Sequence, residues 1–427
     1  MADETHGKRE GATRRGRAGS GGGRGGSGTR GLRGNAVIGQ SGGPTAGINQ
    51  SLVGVIEALR AIGGVKKIYG MRHGVSGMRQ GDVVDLGRLR PDALKRLAAT
   101  PSAALGSSRD KPDPEYCRAI LERCRELDIR SFFYIGGNDS SDTCRIVCEL
   151  AHAEGYEMRC IHVPKTVDND LMESDHTPGY PSAARFVATA FMADNLDNRA
   201  LPGVKINVVM GRNAGFLTAA AALARRREDD GPHLIYLPEV PFNTRRFLVD
   251  VENVYRRLGR CQVAVSEGVQ DDEGRPIAAT LLAGADVDAH GNVQLSGTGV
   301  LGDALADLVK KNITNAAGKP VRVRADTFGY LQRCWPDASR VDAREARAAG
   351  RYAVRLAAAG RMSGSVAIVR TSNRPYRSAM KAVELADVAA KTRRMPPEFI
   401  DGMNDVTPAF LRYAAPLVGD LPETAVL

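Results

Sequence analysis

The chain has 427 residues and a formal net charge of +10, with 43% apolar and 25% charged residues. These values are ordinary for a globular protein of two or three α/β units, and no apolar run is long enough to predict a transmembrane helix. The seven scattered cysteines form no Cys–His cluster, so we expect reduced thiols in or near the core. No secretory or transit signal is recognisable, which predicts a cytoplasmic protein.

The N-terminal segment 1–33 differs in composition from the rest of the chain. It holds eight Lys/Arg against three Asp/Glu, and residues 14–34 are a Gly/Ser/Arg-rich sequence of low complexity. Such a segment cannot form a core, so we predict a disordered arm. Weak, salt-dependent binding of RNA through this arm stays open, but the arm has no aromatic residue to stack on bases, so nucleic acid is not an expected partner.

From Asn35 onward, short apolar runs alternate with helical patterns. The predicted strands are 36–38, 131–135, 159–163, 206–210, 233–237, 262–266, 321–325 and 365–369. Helices are predicted over 48–61 and 141–153, and as an alanine-rich helix ending at Arg227. This alternation predicts an α/β fold with parallel-rich sheets and crossover helices, in which ligands bind beyond the carboxyl ends of the strands.

Two glycine loops follow predicted strands. The loop GQSGGPTAG (39–47) would let backbone N–H groups approach an anion at a helix N-terminus, although a simple chain reversal is equally compatible with it. The loop GGNDS (136–140) places Asn138 and Asp139 where they could approach a metal–phosphate. The alternative is that Asp139 and Ser140 only cap the following helix.

The loop PKTVDND (164–170) is more specific. Lys165, Asp168 and Asp170 lie together directly after a buried strand. A carboxylate at such a sheet edge can act as a general base for a hydroxyl, and a neighbouring cation can offset charge on a transferred group. The position at a strand end favours such a chemical role over the alternative, a solvated acidic turn.

Loop arginines form two further groups. Arg109 and Arg212 lie among small residues and suit bidentate phosphate binding, and Glu267 could accept hydrogen bonds from sugar hydroxyls. The segment 324–333 adds a second basic cluster containing Arg324, Tyr330 and Arg333. Two cationic clusters with carboxylates between them predict two phosphate sites on either side of a transfer point.

Six motifs, in this order and approximate spacing, resemble the phosphofructokinase family: SGGPTAGIN, GGNDS, PKTVDND, MGRNAG, SEG and GYLQR. The resemblance covers about residues 35–420 and leaves out the arm. It implies two Rossmann-like lobes, magnesium as the cofactor and transfer of a phosphoryl group to the 1-hydroxyl of fructose 6-phosphate. It also implies a homodimer or homotetramer, because in the family one basic cluster reaches into a neighbouring subunit.

The resemblance also assigns roles to residues. Asp168 would be the general base, and Asn138 takes the position of the metal-binding residue. The catalytic set that it implies comprises Asp168, Lys165, Asp139, Arg212 and Thr166. The substrate-binding set comprises Gly43, Arg109, Thr166, Val167, Asp168, Asp170, Met210, Gly211, Arg212, Glu267, Arg324, Tyr330, Leu331, Gln332 and Arg333.

Two positions bear on the phosphoryl donor. The ATP-dependent members resemble GGDGS and PGTIDND, with glycines where this chain has Asp139 and Lys165. Asp139 would place volume and negative charge where a nucleotide's α-phosphate would lie, and Lys165 would supply a cation for a phosphate leaving group. Both residues match the pyrophosphate-dependent branch. An ATP-dependent enzyme, a sedoheptulose 7-phosphate acceptor and a non-catalytic regulatory or RNA-binding paralogue are the alternatives.

The predicted domain limits follow from the same motifs. A donor lobe is expected over 34–178, completed by part of 334–400, and a fructose 6-phosphate lobe over 179–333, completed by C-terminal segments. The polar stretch 172–181 predicts the boundary between the lobes.

Overall fold

The computed structural model describes residues 31–281 and 299–426, so most of the arm predicted over 1–33 lies outside the described residues. The strands are β1 (Asn35–Gln40), β2 (Ile68–Met71), β3 (Val83–Asp85), β4 (Ile129–Gly136), β5 (Arg159–Pro164), β6 (Val204–Val209), β7 (Leu234–Tyr236), β8 (Cys261–Ser266), β9 (Val323–Thr327), β10 (Ser363–Asn373), β11 (Tyr376–Val383), β12 (Ile400–Asp401) and β13 (Asp405–Val406).

The α-helices are α1 (Ile48–Ile62), α2 (Val75–Gln80), α3 (Pro91–Ala99), α4 (Pro114–Glu126), α5 (Asn138–Ala153), α6 (Tyr180–Ala200), α7 (Phe216–Ala219), α8 (Thr244–Leu258), α9 (Ile277–Leu281), α10 (Val300–Asn312), α11 (Arg340–Ala358), α12 (Leu385–Val388) and α13 (Pro408–Val418). Short 3₁₀ helices cover Ala220–Ala224, Gly329–Gln332 and Pro397–Phe399.

The larger sheet has the strand order β11-β10-β5-β4-β1-β2-β3. Its central pairs are parallel, whereas β11 and β3 pair antiparallel at the two edges. The chain builds β1 to β5 first and returns to this sheet through α11 to add β10 beside β5. The smaller sheet, β7-β8-β6-β9, is parallel throughout. The predicted α/β architecture with two parallel-rich sheets is confirmed.

Helices cover both faces of each sheet because the buried strands are apolar on both sides. In the larger sheet, alternate strand residues pack against α1, α3 and α11 on one face and against α2, α4 and α5 on the other. In the smaller sheet, one face packs against α8, α9 and α10, and the other against α6, α7 and α13. The polar residues at the strand ends are therefore mounted on rigid layers.

The strand order fixes where a ligand can bind. In the larger sheet β1 lies between β2 and β4, so the crossovers from β1 and β4 leave in opposite directions. Such a switch point opens a crevice at the carboxyl ends of the strands. The loops GQSGGPTAG and GGNDS both start at this crevice, and PKTVDND follows the next strand, β5. The three loops thus lie at the carboxyl edge of the larger sheet, as the sequence predicts.

Some predicted elements differ from the structure. The alanine-rich helix predicted to reach Arg227 is wrong in length: α7 and its 3₁₀ continuation end at Ala224, and Arg225 is extended. The carboxylate of Asp230 accepts hydrogen bonds from the backbone N–H groups of Arg226 and Arg227, which offers these donors an alternative to helical bonding. Strand β9 begins two residues later than predicted, and β2, β3 and β11 were not predicted at all.

Most of the polar stretch 172–181 is buried, although Glu173 is exposed. His176 is fully buried and bonds through Nδ1 to Asp175 at 2.8 Å and through Nε2 to Glu345 of α11 at 2.6 Å. Arg370 of β10 pairs with Asp175 at 3.0 Å. This buried ion cluster ties the connection between the two sheets to α11 and β10. The division into a donor lobe and a sugar lobe stays a prediction, since a sheet does not identify its substrate.

None of the helices in the described part of the chain is long and apolar enough to cross a membrane.

Candidate active site

The loop after β1 is shaped by Gly42 and Gly43. Gly42 has φ = 72°, a conformation that favours glycine, and its N–H donates to the carbonyl of Ser108 at 2.8 Å. A β-carbon at Gly43 would lie 2.9 Å from the guanidinium of Arg333. A side chain at position 43 would therefore require the guanidinium of Arg333 to move.

The loop after β4 starts α5 without a side-chain cap. Gly137 is the N-cap, so the capping role considered for Asp139 and Ser140 is wrong. The hydroxyl of Ser140 instead contacts that of Ser41 and joins the two glycine loops. Asp139 is 62% exposed and pairs with Lys111 at 3.4 Å.

Asn138 points towards the PKTVDND loop. Its Nδ2 donates to Oδ2 of Asp170 at 3.3 Å, whereas its Oδ1 is buried and has no hydrogen-bond partner among the described residues. A buried acceptor of this kind is costly unless a ligand satisfies it. Asn138 Oδ1 is therefore a candidate ligand position beside a carboxylate.

Lys165 is the most deeply buried cation of the loops. Its side chain is only 2% exposed, and Nζ donates to the carbonyl of Gly43 at 2.8 Å. Burial lowers the pKa of Lys165 to about 7, with further lowering by the charges of Arg333 and Arg109, although Asp168 and Asp170 oppose the shift. The amino group is thus poised between its charged and neutral forms, and an arriving anion would favour the charged form.

Two carboxylates follow Lys165 on the same loop. Burial raises the pKa of Asp168, while Arg333, Lys165 and Arg212 favour its charged form. The pKa of Asp170 rises to about 6 because of burial and the neighbouring Asp168 charge. Val167 between them is buried at 6% exposure. A carboxylate with a raised pKa among cations has the properties of a general base near neutral pH.

The segment MGRNAG lies after β6, beside SEG after β8. The hydroxyl of Ser266 donates to the carbonyl of Gly211 at 2.7 Å, and a β-carbon at Gly268 would collide with the backbone of Arg212. Met210 donates its N–H to Oε1 of Gln332 at 3.3 Å. Arg212 is exposed whereas Glu267 is only 9% exposed, so these motifs present a cation beside a sheltered carboxylate.

The GYLQR segment forms a 3₁₀ turn that carries Arg333 to the larger sheet. The guanidinium of Arg333 lies 4.3 Å from the ring centroid of Tyr330, and its Nε is buried without a hydrogen-bond partner in the described residues. Burial lowers the pKa of Arg333, as does Arg109, whereas Asp168 and Glu267 favour its charge. Arg333 is therefore the residue that links the loops of the two sheets.

Most of the predicted site residues thus converge, but two do not join them. Arg324 lies exposed on the edge strand β9, paired in register with Lys205 at the start of β6. Four residues of strand separate that level from the site, or about 13 Å. Leu331 is 66% exposed, with its side chain directed away from the core.

Sequence reasoning missed Arg393 and Tyr413, which form hydrogen bonds that hold the PKTVDND loop in place. Arg393 donates from Nη2 to the carbonyl of Asn169 at 2.8 Å and from Nη1 to that of Asp175 at 2.9 Å. Its own N–H donates to the carbonyl of Asp170 at 2.7 Å. Tyr413 accepts a hydrogen bond at 2.8 Å from Asn169, which has φ = 60°. No local pattern marks these residues, because they lie more than 200 positions from the loop that they hold.

The site also offers oxygen donors for a cation. Among the described residues no group of three or more His, Cys, Asp or Glu side chains could enclose a metal. Asn138 Oδ1 lacks a partner and lies on the same amide as the Nδ2 that binds Asp170. Mg²⁺ usually takes only a few protein oxygens as ligands, because it keeps several waters and binds phosphate oxygens at its remaining positions. The residues present therefore fit a magnesium ion that arrives with a phosphorylated substrate.

Comparison with known proteins places this fold and site in a family. The family model for phosphofructokinase matches residues 35–371, and the chain belongs to that family. A pyrophosphate–fructose 6-phosphate 1-phosphotransferase from Rhodospirillum rubrum is 54% identical over 388 residues, covering 90% of this chain and 94% of the relative. A pyrophosphate–fructose 6-phosphate 1-phosphotransferase from Halomonas elongata is 40% identical, covering 90% of this chain and 91% of the relative.

A solved structure is also similar. The pyrophosphate-dependent phosphofructokinase of Marinobacter aquaeolei is 35% identical and superposes with a TM-score of 0.80, covering 92% of this chain and 94% of that chain.

Proposed function

We propose that this protein transfers a phosphoryl group reversibly from pyrophosphate to the 1-hydroxyl of fructose 6-phosphate, giving fructose 1,6-bisphosphate and phosphate. The observation that carries the proposal is the buried amino group of Lys165, which lies on the Gly43 carbonyl beside Arg333 and Asp168. The printed descriptions of the relatives name the same donor and acceptor.

The residues divide the reaction between them. Asp168 accepts the proton of the 1-hydroxyl as its oxygen attacks the distal phosphorus and the bridging P–O bond breaks. Lys165 and Arg333 offset the charge on the transferred group and on the departing phosphate, and the exposed Arg109 approaches from the same side. Arg212 and Glu267 hold the sugar phosphate. Both sides of the equation carry phosphoryl groups of comparable transfer potential, so we expect easy reversal.

Magnesium is part of the proposal. Asn138 and Asp170 would hold the ion, which neutralises charge on the pyrophosphate when bound.

A donor comparison tests the proposed function. Purified protein assayed with fructose 6-phosphate should turn over with pyrophosphate and at least 100-fold more slowly with ATP. Equal rates with both donors would overturn the choice of donor.

Asp139→Gly and Lys165→Gly should each cripple the pyrophosphate reaction. Asp139→Asn is the matched control, since it keeps the volume and removes only the charge.

We also propose a cytoplasmic homodimer or homotetramer. This proposal is supported by Arg324, which is exposed on an edge strand about 13 Å from its own chain's site, where a neighbouring subunit could use it. Sedimentation at assay concentration should show a dimer or larger, and a monomer with full activity would refute this part.

A further inference from the structure

The cysteines Cys148 and Cys160 form a thiol pair behind the active site. Cys148 lies on α5 and Cys160 on β5, and the two thiols share a hydrogen bond. Both bond to the same carbonyl, that of Met362: the Cys160 N–H donates to it at 2.8 Å and the Cys148 thiol lies 3.7 Å from it. The shared carbonyl therefore places the Cys148 thiol beside the backbone of Cys160, next to the start of β10.

The two thiols differ in access. Cys160 is fully buried, whereas Cys148 is partly exposed and lines a cavity of about 650 Å³. The cavity opens between the C-terminal half of α5 and the segment 384–386. A small reagent can therefore reach Cys148, and Cys160 lies behind it.

The two thiols also differ in acidity. The hydrogen bond from Cys160, together with one from Ser363, lowers the pKa of Cys148, although burial opposes the shift. The same contact and burial raise the pKa of Cys160. Burial also raises the pKa of Cys117, Cys124, Cys144, Cys261 and Cys334. A thiol that is both accessible and more acidic is the one that oxidants attack first.

We propose that Cys148 is a modification site for hydroperoxides, with Cys160 as the resolving thiol. The Cys148 sulfur attacks one peroxide oxygen, the O–O bond breaks, and a sulfenic acid and an alcohol or water form. The Cys160 sulfur then attacks the sulfenyl sulfur and displaces the hydroxyl as water. Two thiols and one hydroperoxide thus give one disulfide, one alcohol or water, and one water.

The site is separate from the transfer chemistry. Cys148 is ten residues along α5 from Asn138, about 15 Å, and Cys160 is five residues along β5 from Lys165, about 16 Å. Substrates therefore do not touch either thiol. The disulfide would join the helix that carries Asn138 to the strand that carries Lys165.

Mass mapping of the peroxide-treated protein tests the proposal. The full chain treated with hydrogen peroxide should lose two of its seven thiols and yield a Cys148–Cys160 cross-linked peptide that dithiothreitol reverses. Cys160→Ser should instead accumulate a Cys148 sulfenic acid that dimedone traps. Cys148→Ser should lose no thiol at the same dose.

Two results would overturn it. One is first oxidation at Cys334, the other partly exposed cysteine in the described residues. The other is a stable Cys148 sulfenic acid in the unsubstituted protein with no cross-link. Mapping uses the unsubstituted protein, so it decides the proposal even if one of the variants misfolds. Cys261→Ala, in the other sheet, is the control and should behave like the unsubstituted protein.

Discussion

At the scale of single residues, Asp168 and Lys165 lie on one loop but have different proposed roles. Asp168 would accept a proton, and Lys165 would offset negative charge. Arg333 acts on both: its charge favours the ionised form of Asp168 and disfavours the charged form of Lys165. The same guanidinium lies close to Gly43, so one side chain adjoins the proposed base, the buried cation and the glycine loop after β1.

Asp168→Asn removes the proposed general base and keeps the shape of the side chain. We expect kcat to fall by about 10²–10⁴, with KM for both substrates changed only slightly, because the amide cannot accept the proton. Steady-state kinetics in both directions measure this. Asp82→Asn, at an exposed carboxylate paired with Arg72, is the control and should leave kcat unchanged. A loss confined to KM would contradict the role of base.

The lowered pKa of Lys165 predicts a pH dependence. Its folded pKa of about 7 lies below the unfolded value, so kcat/KM for pyrophosphate should fall as pH rises through about 7. Between pH 7 and 10 the unfolded chain binds more protons, so stability should rise with pH by up to ~1.4 kcal/mol per unit. Lys165→Met should abolish this rise, as urea unfolding at several pH values would reveal. An unchanged slope would refute the assignment.

At the scale of elements, the segment between α12 and β12 supports the PKTVDND loop of the candidate site. Most of this segment is irregular and it ends in the short 3₁₀ helix Pro397–Phe399, yet its Arg393 donates to several carbonyls of residues 169–175. Arg393 also stacks 4.8 Å from the Phe216 centroid, which limits its freedom. The geometry of this loop therefore depends on a residue more than 200 positions away in the sequence.

Arg393→Gln should lower kcat about 10–100-fold while changing KM less, because small misplacement of reacting groups is costly. The pH profile of kcat should also shift, since Arg393 favours the ionised form of Asp170. Arg394→Gln, at the exposed neighbour, is the matched control. If Arg393→Gln lowered only thermal stability and left both kcat and its pH profile intact, Arg393 would be a purely structural residue.

At the scale of the whole molecule, the buried cluster around His176 joins segments distant in sequence. Burial alone would lower the pKa of His176, but Asp175 and Glu345 raise it above its usual value. Burial likewise opposes ionisation of Glu345, whose pKa is nevertheless lowered by His176, Ser378 and Tyr376. The cluster is thus most stable when the histidine is charged and both carboxylates are ionised.

This charge state predicts how stability depends on pH. The contribution of His176 is fully present below its unfolded pKa near 6.5 and is lost as pH rises through the higher folded value. His176→Gln should lower the free energy of unfolding at pH 6 by roughly 3 kcal/mol, since it removes the buried cation that lies between the carboxylates of Asp175 and Glu345. Urea titrations from pH 6 to 9 measure it, with exposed His152→Gln as control. A variant that retained the slope would exclude His176 as its source.

The sequence allowed the central architecture to be predicted because buried parallel strands are continuous apolar runs, as in β1, β4, β5, β6 and β8. The short strands β2 and β3 carry too few residues for a pattern, and the edge strand β11 alternates between half-buried and exposed positions. Site residues at strand ends were predictable because those ends meet at one edge. The approach of Arg333 to Gly43 and of Arg393 to Asn169 depends on tertiary packing that no local spacing encodes.

The pairing of β10 with β5 has a consequence for synthesis. Ser363 pairs with Cys160, some 200 residues earlier in the chain. At a translation rate of 5–20 residues per second, roughly 10–40 s pass between the emergence of the two strands. During that interval β5 presents an open edge, the kind of surface on which nascent chains aggregate. During synthesis the edge of β5 is thus exposed for a long interval, in which a chaperone could shield it from aggregation.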